Sequence, residues 1–120
     1  LPSLREVFGV VTTPGGELEI EKVTPALSAP HAALHLGPIN IALEAACIDA
    51  LARNTGTPDW QVESWTVLMV KPGYAGPFRA AATLVNAGSD RIGVEATMTD
   101  AGNGDRAIAS VSAAFRRVRL

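Results

Sequence analysis

Residues 38–53 constrain the fold more than any other part of the chain, because they are strong helix formers and apolar nearly all round. Pro38 suits the first turn of a helix, where its missing N–H would have no intrahelical partner. Between residues 38 and 52, only Asn40, Glu44 and Asp49 interrupt the apolar surface. A helix with this pattern is normally enclosed by protein, so we expect the rest of the chain to wrap around it.

Strands are predicted on both sides of this helix. Before it, residues 5–12 and 17–23 are β-type and are separated by the turn signal Pro14-Gly15-Gly16. After it, turn-forming segments separate four further β-type stretches, residues 60–71, 78–86, 91–99 and 107–118. Apolar and polar residues alternate along the last two, which predicts a sheet with one apolar and one partly polar face. This order of elements predicts an α+β fold, in which one helix packs on an antiparallel sheet.

The composition predicts one globular domain, residues 1–120, with 48% apolar and 18% charged residues. A chain of this size keeps apolar surface for subunit contacts, so we expect a homo-oligomer.

The net charge of −2 creates no field that attracts nucleic acid, and we interpret Arg116, Arg117 and Arg119 as a solvated strand end. The lone Cys47 excludes an internal disulfide and suits a reducing compartment. No apolar run approaches the roughly 20 residues of a membrane span, so we expect a cytoplasmic protein without membrane contact.

Glu44 is the most informative polar residue, because it interrupts the apolar helix near its middle. A buried carboxylate is costly unless it finds a partner or its pKa shifts, so such a residue needs a reason. Asn40 lies four residues earlier and therefore on the same stripe of the helix. Two interpretations stay open: Glu44 is a functional group in a dry site, or the helix is partly covered and Glu44 faces solvent or a subunit boundary.

The predicted helix start, His35-Leu36-Gly37-Pro38, is the second candidate for chemistry. Backbone N–H groups point outward at a helix N-terminus, and the helix dipole favours negative charge there. Such a terminus can polarise a carbonyl group and stabilise an oxyanion. Most helix starts with Gly and Pro are structural, but Glu44 lies about two turns inside this same helix. The spacing therefore favours a site that combines the two.

Three segments together resemble a known family. The first, from His35 to Glu44, resembles the H-G-G-x-x-x-x-x-x-[DE] signature of hotdog thioesterases of the phenylacetate-degradation and 4-hydroxybenzoyl-CoA type. Residues 70–80, VKPGYAGPFRA, are similar to that family's strand-ending motif, and residues 100–105 match its D-x-G-x-G-D turn. The resemblance covers about residues 5–118 and implies a hotdog fold, an antiparallel sheet wrapped around one long central helix.

The resemblance also implies a function. The chain would be an acyl-CoA thioesterase that acts on acyl-CoA or an acyl-carrier thioester, needs no cofactor and assembles as a dimer or a dimer of dimers. Glu44 would be the nucleophile or the general base, and the backbone N–H of Leu36 would be the oxyanion donor. His35 and Gly37 would complete the helix start, and Asn40 or His31 would act as a positioning group. The family's first glycine is Leu36 here, and two further family positions, a polar residue and a glycine, fall on Ala29 and Ala32.

The CoA phosphates would meet Lys71, Arg79 or Arg91, and Trp65 would pack at the acyl pocket or at an interface. His31 and His35 come without further spaced ligands, so no metal site is predicted.

Other functions stay open. The chain would be a non-catalytic acyl-thioester binding or regulatory module if the altered glycine positions abolish catalysis, or a structural subunit of an active partner. A hydratase on this fold is disfavoured, because the helix lacks the paired Asp and His of those enzymes.

Overall fold

The computed structural model describes residues 5, 8–14, 16–22, 34 and 36–118. Its elements are β1 (Val11–Thr12), β2 (Leu18–Ile20), α1 (Leu36–Thr55), β3 (Trp60–Met69), β4 (Phe78–Ala87), β5 (Arg91–Asp100), a 3-10 turn (Ala101–Asn103) and β6 (Arg106–Arg117). The six strands form one antiparallel sheet in the order β1-β2-β4-β5-β6-β3. The predicted α+β class is confirmed.

The long helix α1 confirms the predicted helix and extends it by two residues at each end, from Leu36 to Thr55. It ends where Gly56 takes a φ of +81°, and the Gly56 N–H donates to the Ala52 carbonyl at 2.9 Å. A left-handed glycine is a common helix stop because it has no Cβ to clash. The helix packs against β2, β4 and β5. Four buried alanines let it approach the sheet closely: Ala42, Ala45, Ala46 and Ala50.

The last two strands confirm the predicted separation of an apolar and a polar sheet face. On β5, the four alternating residues Ile92, Val94, Ala96 and Met98 are all buried against the helix side. Their neighbours Glu95 and Thr97 are exposed on the other side. Because paired residues of an antiparallel sheet share a face, the register continues both faces into β6.

The N-terminal strands are shorter than predicted. The expected strand over residues 5–12 is wrong at residues 5 and 8–10, because the Val10 N–H donates to the Arg5 carbonyl at 2.8 Å and closes a turn, and only Val11–Thr12 are a strand. Residues 6 and 7 of this prediction lie outside the described residues. Gly9 completes this turn with a φ of +69°. The strand expected over residues 17–23 shrinks to Leu18–Ile20, and its last predicted residue, Val23, lies outside the described residues.

Strand β3 lies at one edge of the sheet and is ten residues long. Among the described strands it pairs only with β6. Several of its apolar residues, and the first residue after it, are exposed: Val62, Leu68, Met69 and Val70. Within the described part of the chain, no helix, α1 included, is both long enough and apolar enough to cross a bilayer.

Candidate functional site

The helix start carries the first predicted site residues. Leu36 opens α1 with 43% of its side chain exposed, Gly37 is half-buried, and Pro38 is buried in the first turn. The aligned peptide dipoles of the helix place a partial positive charge at this end. His35 lies outside the described residues, as do His31, Ala29 and Ala32.

Asn40 and Glu44 form the polar stripe that the sequence predicts. The indole N–H of Trp65 donates to Oδ1 of Asn40 at 3.1 Å, so this stripe faces strand β3. Glu44 lies one turn further along the helix, and its side chain is exposed in the single chain. The isolated subunit therefore does not bury the carboxylate. This position agrees with the interpretation in which Glu44 faces solvent or a subunit boundary.

The negative charge of Glu44 affects the pKa of Cys47, which lies in the core. The thiol is fully buried, so Cys47 is a small core residue. Burial and, second, the negative charge of Glu44 raise the pKa of Cys47 from 9.0 to about 12. Both effects disfavour the thiolate, the form that reacts. Cys47 is therefore unsuited to be a nucleophile.

This shift predicts that native Cys47 resists thiol reagents. At pH 8 we expect labelling roughly a thousandfold slower than in the denatured chain, since each pKa unit changes the thiolate fraction about tenfold. The contribution of Cys47 to the free energy of unfolding should be constant below pH 9.0. It should fall as pH rises from 9.0 toward about 12, because in that range the thiol ionises only in the unfolded chain. Labelling is measured by absorbance, and rapid labelling of the native protein would contradict this prediction.

The inner side of β3 is left partly open. Trp65 and Val67 pair with buried residues of β6, so they face the same side as the core, yet both are only half-buried. Val62 and Met69 on this strand are 41% and 45% exposed. The cause is the position of α1, which packs mainly against β2, β4 and β5 and reaches the edge strand through the Asn40–Trp65 hydrogen bond. The Asn40–Glu44 stripe therefore borders an apolar surface that the single chain does not cover.

The three cations predicted to bind phosphate do not converge. Lys71 is exposed in the loop after β3. Arg79 pairs with Glu19 of β2 at 3.5 Å, and Arg91 pairs with Glu63 at 3.2 Å. Arg79 and Arg91 stand at opposite ends of the β4–β5 hairpin. At most one of these two can therefore contact a given phosphate in one subunit.

Arg91 has two neighbours that sequence analysis did not select as ligands. Arg91, Arg116 and Arg117 line a surface cavity of about 520 Å³ together with Gly88 and Asp90. Arg91 lies directly opposite Arg116 in the register of β5 and β6. The predicted strands 91–99 and 107–118 do not fix the register between them, so no sequence signal pairs Arg91 with Arg116. Two residues of the cluster that we interpreted as a solvated strand end, Arg116 and Arg117, thus line a concave cationic surface with Arg91, and the third, Arg119, lies outside the described residues.

No protein-family model matches this sequence, and no curated protein matches it. Solved structures do match. The E. coli PaaI protein from the phenylacetic acid degradation operon is 18% identical with a TM-score of 0.81, over 96% of this chain and 83% of that chain. A Bacillus halodurans protein solved with CoA is 22% identical with a TM-score of 0.79, over 100% of this chain and 81% of that chain.

A Thermus thermophilus thioesterase complexed with coenzyme A and Zn is 16% identical with a TM-score of 0.70, over 93% of this chain and 81% of that chain. The matches extend over nearly the whole chain, and they have the same arrangement of one long helix on an antiparallel sheet. At these identities the likeness establishes architecture. This chain therefore has the hotdog fold of thioesterase-superfamily structures.

Proposed function

We propose that this chain hydrolyses acyl-CoA thioesters and that Glu44 carries the reaction. The observation behind the proposal is the position of this carboxylate, two turns inside α1 on the stripe that borders the open inner side of β3. Helical side chains lean toward the N-terminus, which brings the carboxylate closer to Leu36. A thioester on the open surface can then meet both the helix start and Glu44.

The reaction needs no cofactor. As general base, Glu44 takes a proton from water while the water oxygen attacks the carbonyl carbon, and the Leu36 N–H donates to the oxyanion. Collapse of the oxyanion breaks the C–S bond, and the CoA thiolate takes the proton back from Glu44. As nucleophile, the carboxylate attacks the carbonyl carbon and expels the CoA thiolate, which leaves a mixed anhydride; water then hydrolyses this anhydride to the free acid and the Glu44 carboxylate. Both routes need the same carboxylate.

The proposal includes a second copy of the chain. Charged catalytic groups act most strongly where water is excluded, and the single subunit leaves Glu44 exposed. An unpaired edge strand with exposed apolar residues is a template for pairing, and β3 has exposed apolar residues and pairs with β6 alone among the described strands. We therefore propose a homodimer through β3, alone or within a dimer of dimers, that covers the open surface and Glu44. We place the activity in the cytoplasm, which suits the lone cysteine.

We assign the CoA phosphates to the cavity lined by Arg91, Arg116 and Arg117. Guanidinium groups form bidentate hydrogen bonds to phosphate, and three of them border this cavity. Lys71 and Arg79 remain secondary candidates, since Lys71 lies in a different loop and Arg79 stands at the opposite end of the β4–β5 hairpin from this cavity. Arg91 itself pairs with Glu63 at 3.2 Å, so a phosphate would compete with that carboxylate. Trp65 is assigned to the acyl side of the site, because its indole contacts Asn40.

Replacing Arg91 with Ala should raise KM for acyl-CoA about tenfold, because a hydrogen bond to a charged group contributes about 1.5 kcal/mol at the low end of its range. The kcat should not change, since the contact is equal in ground and transition states. Steady-state kinetics at fixed ionic strength measures both constants. Arg106→Ala is the matched control, because Arg106 is also exposed and does not line the cavity. An unchanged KM in the Arg91 variant would remove Arg91 from the substrate site.

A second function is favoured by one observation. Leu36 places an exposed apolar side chain at the helix start, where the family that the sequence resembles carries glycine. This side chain narrows the approach of an acyl group to the oxyanion donor. A protein altered in this way would bind acyl thioesters without cleaving them, as a regulatory module.

Thiol release from a panel of acyl-CoA esters separates the two functions. We expect the wild-type chain to release CoA and the matching free acid in equal amounts, which a thiol-reactive dye and chromatography measure. Tight binding of acyl-CoA by calorimetry with no thiol release would favour the binding module. If the chain neither binds nor cleaves any ester of the panel, both functions are refuted.

A further inference from the structure

Asp100, the last residue of β5, is the one charged side chain that is fully buried in the described part of the chain. Its Oδ1 accepts the Gly76 N–H at 2.8 Å, and its Oδ2 accepts the N–H groups of Ala75 at 3.1 Å and Tyr74 at 3.2 Å. A buried carboxylate is tolerated only when such donors compensate it. Asp100 therefore holds three consecutive amides of the loop between β3 and β4.

The same loop is bound to the chain that leads into α1. The Leu34 N–H donates to the Gly73 carbonyl at 2.8 Å, and Leu34 is 4% exposed. Leu34 lies two residues before Leu36, the first residue of the helix. A short run of hydrogen bonds thus joins Asp100, the loop amides, Gly73 and Leu34.

The loop has little freedom to move by itself. A Cβ added to Gly73 would lie 2.8 Å from Phe78 Cε1 and 2.9 Å from Ile108 Cδ1, so this backbone already touches the core. A Cβ added to Gly102 would overlap the Gly76 carbonyl oxygen. Tightly packed groups transmit a displacement instead of absorbing it. A change at Asp100 should therefore reach Leu34.

We propose that Asp100 is a positioning residue that sets the place of the Leu36 N–H through the loop amides and the Gly73–Leu34 hydrogen bond. This inference rests on the proposed thioesterase function, in which Leu36 donates to the oxyanion. A misplacement of about 1 Å in a catalytic group can cost about a hundredfold in rate. Asp100 does so from the far end of β5, without contact to the substrate.

Asp100→Asn tests the proposal, because Asn keeps the shape and one acceptor oxygen but turns an NH2 group toward the loop amides. We expect kcat to fall about tenfold or more while KM stays within about twofold, since the donor acts mainly in the transition state. Amide hydrogen exchange should accelerate at Leu34 as well as at residues 74–76, because all four amides donate hydrogen bonds. Asp105→Asn is the control, because Asp105 is exposed and its φ of 55° suits Asn.

The outcomes are separable. A wild-type chain that hydrolyses no acyl-CoA refutes the proposed function. An active wild type whose Asp100→Asn variant keeps its full kcat refutes the positioning role alone, as does accelerated exchange confined to residues 74–76. If the variant does not fold, native-state exchange of the wild type decides. The amides of Leu34 and residues 74–76 should then open with one common free energy, and a separate, lower value for Leu34 would overturn the inference.

Discussion

Replacing Glu44 with Gln is expected to lower kcat for acyl-CoA hydrolysis by about 10²- to 10⁴-fold, the usual contribution of a positioned general base. Gln has nearly the same shape but neither takes a proton from water nor attacks a carbonyl carbon. Binding of acyl-CoA should persist, because the contacts to CoA lie elsewhere. The free energy of unfolding of the single subunit should change little, since the single chain leaves this side chain exposed.

The same substitution also tests whether the Glu44 carboxylate lies near Cys47. The charge of Glu44 contributes to the raised pKa of Cys47, so Glu44→Gln should lower that pKa and speed alkaline labelling of the thiol. Glu95→Gln is the matched control, because Glu95 is exposed on the outer face of the sheet. Equal turnover by the wild type and the Glu44 variant would remove Glu44 from the mechanism.

Two lysines on the outer face of β3, Thr66→Lys with Leu68→Lys, are expected to prevent the dimer that we propose and to abolish measurable turnover. Both residues are exposed, and Leu68 is 63% exposed, so the subunit itself should still fold. Lysines on an edge strand oppose pairing with a second strand because their charges must be desolvated or brought together. Light scattering coupled to gel filtration measures the mass, and thiol release measures the activity.

Strand β4 offers a control of the same composition. Thr83→Lys with Val85→Lys places two lysines at exposed positions of a strand far from the β3 edge in the sheet order. This variant should keep both mass and activity. A monomeric wild type that is fully active would contradict the proposed role of the second copy, and so would an unchanged mass in the β3 variant.

The sequence predicts the helix and the last four strands well, because their signals are local. The apolar run of α1 and the alternation along β5 and β6 depend on neighbours within a few residues. The N-terminal strands were predicted too long because the turn closed by Arg5 and Val10 depends on a backbone hydrogen bond and on the φ of Gly9. Neither property follows from β-propensity.

The candidate site was predicted only in part. Helical spacing places Asn40 and Glu44 on one stripe, but exposure depends on which strands the helix covers, and that is a tertiary property. Arg116 was not selected because its relation to Arg91 appears only in the strand register. Asp100 was not selected either. Its role depends on three amides that lie more than 20 residues away in the chain.

A crystal structure with a CoA analogue whose keto group replaces the thioester, with CH2 between sulfur and the carbonyl, tests the central claim most directly. The account predicts that the keto oxygen lies about 3 Å from the Leu36 nitrogen. A Glu44 carboxylate oxygen should lie about 3 to 3.5 Å from the keto carbon or one water away, beneath a second copy paired along β3. An analogue bound elsewhere, with Glu44 still in bulk water, would contradict the proposed site.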